Sequence, residues 1–152
     1  MVPDVRHLAC AALLCLANSA SAQTDLSQTL NATLAPVAEV ESLSDTLNCT
    51  ALFRSLSLIF GPDSENFEGF QTREGAMASI SGVLWADSPG GAGQSPDEVF
   101  AVLLPMINAA TDHYLAHMDA TAQALDTPFD DQILGQFDFC NALVEALQSD
   151  AG

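Results

Sequence analysis

The chain has 152 residues, 20 acids against three lysine-plus-arginine side chains, and a net charge of −17. Such a surplus repels nucleic acid and anionic lipid, so neither is an expected partner, while a basic protein or a metal cation is attracted. Apolar residues make up 49% of the chain, which is too many for a disordered polymer, and the length suits one domain with a single core.

Met1 to Ala22 has the pattern of a secretory leader. Arg6 and His7 precede a short apolar run from Leu8 to Ala17, and Ala20-Ser21-Ala22 puts small residues where a signal peptidase cuts. The run is too short to cross a bilayer. The expected organisation is a leader over 1–22, an N-terminal extension over 23–41 and a helical domain over 42–152. The expected location is extracytoplasmic, either periplasmic or secreted, with no membrane contact after cleavage. Cleavage removes Asp4 and Arg6, so the net charge stays at −17 and the remaining arginines are Arg54 and Arg73. Cys10 and Cys15 leave with the leader, and no lipoprotein signature precedes either. Cys49 and Cys140 are then one even pair in an oxidising compartment, and a disulfide between them is expected.

Helical spacing runs through the rest of the chain. Asp25 to Leu34 carries Leu26, Leu30 and Leu34 on one face and stops at Pro36; alone it is too short to be stable. A second helix is expected over Ser42–Phe60, with the stripe Cys49, Leu52, Phe53, Leu56, Ile59 and Phe60, ending at Gly61-Pro62. A third is expected over Ser64–Ala86, on Phe67, Phe70, Met77, Ile80 and Leu84. Helix formation there is expected to start late, near Thr72. Asp87 to Ser95 has the composition of a flexible loop.

Ser95-Pro96-Asp97-Glu98 is a capping box with proline at the first helical position. The helix it opens carries Phe100, Leu103, Leu104, Ile107, Tyr114, Met118 and Leu125 as its stripe. Pro105 inside that pattern predicts a kink or a split. Asp112, Asp119 and Asp126 recur on another face and read as solvent-facing. Thr127-Pro128-Phe129-Asp130 predicts the next helix start, with Thr127 as cap, followed by the stripe Ile133, Phe137, Cys140, Val144 and Leu147.

The predicted fold is all-α: an up-down-up-down four-helix bundle with a short N-terminal extension, stapled by Cys49–Cys140. Its first and last helices are neighbours that such a bridge joins.

Chemistry-bearing motifs are sparse. His113 and His117 lie four residues apart on one helix face, a spacing that lets both imidazoles bind one Zn²⁺ or Cu²⁺. A third ligand must come from elsewhere, with Glu74 or Asp138 as candidates. Without the glutamate of HExxH there is no metalloprotease pattern. No Gly-x-Ser-x-Gly, CxxC or phosphate-loop pattern is present, and no acid–base pair can be assigned. Arg54 sits among apolar residues and is expected to pair with an acid such as Glu74 or Asp138. Trp85 is expected in the core.

The favoured function is a non-enzymatic exported module that binds a protein or a small ligand, with no cofactor. One alternative is a Zn²⁺- or Cu²⁺-binding bundle using His113 and His117. A second is a pH-responsive periplasmic chaperone, since protonating carboxylates near pH 4 erases much of the net charge.

Overall fold

The computed structural model describes residues 25–149. The leader expected at 1–22 lies outside them. The described residues form helices α1 (Leu26–Leu34), α2 (Leu43–Phe60), α3 (Phe67–Ala86), α4 (Pro96–Leu125) and α5 (Asp131–Ser149), with a 3-10 turn over Ala35–Val37. The all-α architecture and the bridged cysteine pair agree with the sequence reading. Cys49 Sγ and Cys140 Sγ are 2.06 Å apart and tie α2 to α5 across 91 positions.

The centre of the bundle is α2, which packs against every other helix. Eleven of its 18 residues are buried. Four of these are hydroxyl residues: Thr46, Thr50, Ser55 and Ser57. Each hydroxyl donates within its own helix, to Leu43 O (3.1 Å), Thr46 O (2.8 Å), Ala51 O (2.8 Å) and Phe53 O (3.0 Å) respectively. A buried hydroxyl that bonds back to a carbonyl one turn away leaves no donor stranded. Polar positions on α2 can therefore face neighbours, and Ser81 of α3 meets Thr46 Oγ1 at 2.8 Å.

The predicted stripes hold in the middles of the helices and fail at their ends. Ile59 and Phe60 are 39% and 38% exposed, because the last turn of α2 overhangs the core. On α4 the buried seam is Val99, Leu103, Ile107, Ala110, Thr111, Tyr114, Met118 and Thr121. That seam shares Leu103, Ile107, Tyr114 and Met118 with the predicted stripe and departs from it toward the two ends. Phe100, Leu104 and Leu125 are accordingly exposed rather than buried.

Pro105 does not split α4, which runs unbroken from Pro96 to Leu125. Ala101, whose carbonyl loses its partner there, is exposed and can bond to water. The Ser95 capping box forms as predicted, with Glu98 N–H donating to Ser95 Oγ and Ser95 N–H donating to Glu98 Oε2. The backbone N–H and hydroxyl of Ser95 hold the Glu98 carboxyl below its ordinary pKa.

The extension docks. Leu26, Leu30 and Leu34 of α1 are buried, and α1 packs on α4 and α2. Leu26 N–H also donates to Gln132 Oε1 at the start of α5 (3.2 Å). Burying a leucine contributes about 1.5–3 kcal/mol, which explains how a nine-residue helix persists.

The segment 87–95 is a compact turn folded over Trp85, not an open linker. The half-buried indole Nε1 donates to Gln94 Oε1 (2.9 Å). A Cβ at Gly91 would lie 2.1 Å from Trp85 O. Glycine is therefore required there by close backbone approach.

Candidate functional site

One end of the bundle gathers aromatic rings from three chain segments. Phe60 ends α2, Phe70 lies near the start of α3, and Phe129 and Phe137 flank the start of α5. Phe60 stacks on Phe129 with centroids 6.0 Å apart and planes 16° apart, and it lies 5.4 Å from Phe70. Phe137 meets Phe70 and Phe53 edge-on, at 6.3 and 6.4 Å. Offset and edge-on pairs of this kind add about 0.5–1.5 kcal/mol beyond area burial.

The rings do not close over one another. Leu56, Phe60, Phe70, Phe129, Ile133, Leu134 and Phe137 line a cleft of about 190 Å³. Phe60 and Leu134 form an exposed part of this lining, at 38% and 49%. All seven lining side chains are hydrocarbon, so the cleft offers apolar contact and ring faces and no proton donor or acceptor. It suits an apolar group.

The wall that carries Phe129 and Ile133 is fixed by Asp130. Its Oδ1 accepts from Ile133 N–H (3.0 Å) and its carbonyl accepts from Leu134 N–H (3.0 Å), which makes Asp130 the N-cap of α5. The predicted cap was Thr127, so the helix starts later than expected. The reason is that Asp130 Oδ2 is held from the other side by His117 Nε2 of α4 at 2.7 Å, with Thr121 Oγ1 at 3.5 Å. The His117 and Asp130 side chains are only 8% and 15% exposed. Burial works to raise the Asp130 pKa, but the Ile133 N–H and His117 outweigh it and hold the carboxyl below its ordinary value.

The sequence-selected residues fall into place unevenly. His113 and His117 share a face of α4, and it is Asp130 that meets His117. Glu74, one of the two partners the sequence offered for Arg54, is engaged by it at 2.7 Å, and Arg54 also donates to Asn108 Oδ1 (2.8 Å). Asp138 is exposed, as are Asp112, Asp119 and Asp126. Among the described residues no three His, Cys, Asp or Glu side chains gather as a metal ion requires.

Sequence reasoning missed the cleft and the His117–Asp130 contact. A signal for the cleft was present: Phe60 and Phe129 each sit beside a Gly-Pro or Thr-Pro punctuation mark, where a ring leaves the helical stripe. The chain matches no protein-family model, no curated protein and no solved structure.

Proposed function

We propose that this protein is an exported, non-enzymatic binding module that takes a small apolar group into the phenylalanine-lined cleft. The observation that carries the reading is the lining itself: seven hydrocarbon side chains around about 190 Å³. An apolar cavity of about 150 Å³ is enough to hold benzene, so one aromatic or branched aliphatic group fits. Hydrocarbon walls hold a ligand but move no proton, which favours binding over catalysis. The net charge of −17 favours a ligand that also carries a positive charge. Export rests on the leader pattern, and the bridged cysteines are compatible with an oxidising compartment.

Titration calorimetry with toluene, benzylammonium and phenylacetate as probes tests this. Benzylammonium is expected to bind most tightly and phenylacetate least. Phe129→Ala, which removes one wall, is expected to weaken benzylammonium by about tenfold or more, equivalent to 1.4 kcal/mol. Equal binding of all three probes, or binding unchanged in Phe129→Ala, counts against the cleft.

The His117–Asp130 contact favours one second reading, a pH-responsive binder. Protonating Asp130 loosens the wall that carries Phe129 and Ile133, and acid then exposes more of the aromatic cluster. Dye binding that stays constant from neutral pH down to about pH 2, roughly two units below an ordinary aspartate pKa, would sink it.

A further inference from the structure

A second concavity lies between α3 and α5 and shares no lining residue with the phenylalanine cleft. Its volume is about 530 Å³, within the roughly 300–1,000 Å³ of small-molecule sites. Glu68, Gly69 and Arg73 form the α3 side, and Asn141 and Glu145 belong to the α5 side.

Arg73 is the unusual member. The described residues hold two arginines and no lysine, amid a large excess of acid. Arg54 is satisfied by Glu74. Among the described residues Arg73 makes no ion pair, although Glu68 and Glu145 line the same groove. Its Nη1 donates to Gly69 O one turn back, at 3.2 Å. A guanidinium has five N–H donors, so most of its capacity is unspent. Gly69 lies directly beside the guanidinium: a Cβ there would stand 3.2 Å from Arg73 Nη1.

Asn141 supplies an independent observation. Its Oδ1 is buried and has no hydrogen-bond partner among the described residues. An unpartnered buried acceptor carries a desolvation cost. A ligand in the groove that carries an N–H donor, met by a turn of the side-chain amide, removes that cost.

From this arrangement we propose that the α3–α5 groove binds a small zwitterion, an α-amino acid. Arg73 takes the carboxylate in the fork geometry that suits guanidinium. Asn141 Oδ1 and the Glu68 and Glu145 carboxylates take the ammonium group. The mixed charge of the groove supports this class over a simple anion or a simple cation. A zwitterion meets both the guanidinium and the two carboxylates of the groove, whereas an anion is repelled by a surface at −17 and a simple cation leaves Arg73 without a partner.

The test is titration calorimetry on the full mature protein with each standard α-amino acid in turn, and with acetate and methylammonium as single-charge controls. At least one amino acid is expected to bind at a single site, about tenfold or more tighter than either control. Arg73→Gln removes the charge and Gly69→Leu crowds the guanidinium, and each is expected to weaken that binding by about tenfold or more. Far-UV circular dichroism and thermal unfolding establish that both variants are folded. The proposal is overturned if no amino acid binds, if acetate binds as well as the best amino acid, or if both folded variants bind as the parent does.

Discussion

Replacing Asp130 should do more damage than its place between two helices suggests. In Asp130→Ala, Ile133 N–H loses its cap acceptor, which costs about 1 kcal/mol. His117 Nε2, in a side chain 8% exposed, loses its partner at 2.7 Å, which costs about 1–3 kcal/mol more. The total is about 2–4 kcal/mol, and for a domain of this size each kcal/mol moves the Tm by about 4 °C. Asp130→Asn separates the two parts. Asparagine caps a helix as well as aspartate does, so only the charge-assisted share of the His117 contact is lost, about 1–2 kcal/mol. The sign of the pH dependence follows from the lowered Asp130 pKa. A carboxyl whose folded pKa lies below its unfolded value stabilises fully above the unfolded value, near pH 4, and loses that contribution as pH falls through the folded one. The gap between parent and Asp130→Asn should therefore be widest near neutral pH and close in acid. Urea unfolding of the oxidised proteins across that pH range, with His117→Ala and the double variant completing a cycle, measures it. If both Asp130 variants stay within about 0.5 kcal/mol of the parent at neutral pH, the scale of an uninvolved surface substitution, the pair does not hold α5 to α4.

Joining positions 91 apart should contribute about 4.6 kcal/mol in the loop-entropy picture, so the Cys49→Ala/Cys140→Ala protein should unfold at far lower urea than the oxidised parent. Gly91→Ala forces a Cβ to 2.1 Å from Trp85 O; the turn must move, at about 1–3 kcal/mol, and the fluorescence of the single tryptophan should shift to the red. Burial pushes the Tyr114 phenol well above its ordinary pKa, so the one tyrosine of this chain should ionise only with unfolding, as an absorbance titration against circular dichroism can show. Tyr114→Phe removes the 2.7 Å hydrogen bond to Asn48 Oδ1 and should cost about 1 kcal/mol.

Local signals in the sequence were enough to place the helices and some of their partners. Three-and-four spacing located them, Ser95-Pro96-Asp97-Glu98 set the start of α4, Gly61-Pro62 ended α2, and two inward-facing cysteines foretold the bridge. That Arg54 would pair with an acid was legible because an arginine among apolar residues needs one nearby, while the choice of Glu74 over Asp138 was left to the fold. These are properties of one helix turn or of side-chain chemistry, and they survive in any fold that keeps the helices.

Tertiary structure decided which surfaces meet. Periodicity marks an apolar face but not its cover, so the exposed Phe60, Phe100, Leu104 and Leu125 looked the same in the sequence as the buried Leu52 and Leu103. The buried hydroxyls of α2 carry no apolar signal in the sequence, because hydropathy takes no account of a bond back to the preceding turn. The His117–Asp130 contact bridges α4 and the loop before α5, and no local rule links positions 13 apart. The phenylalanine cleft draws on three separate segments, and the α3–α5 groove sets Arg73 against a helix far along the chain. Sequence spacing is a one-dimensional record of each helix's own geometry, whereas a site assembled between helices depends on their relative placement, which only packing fixes.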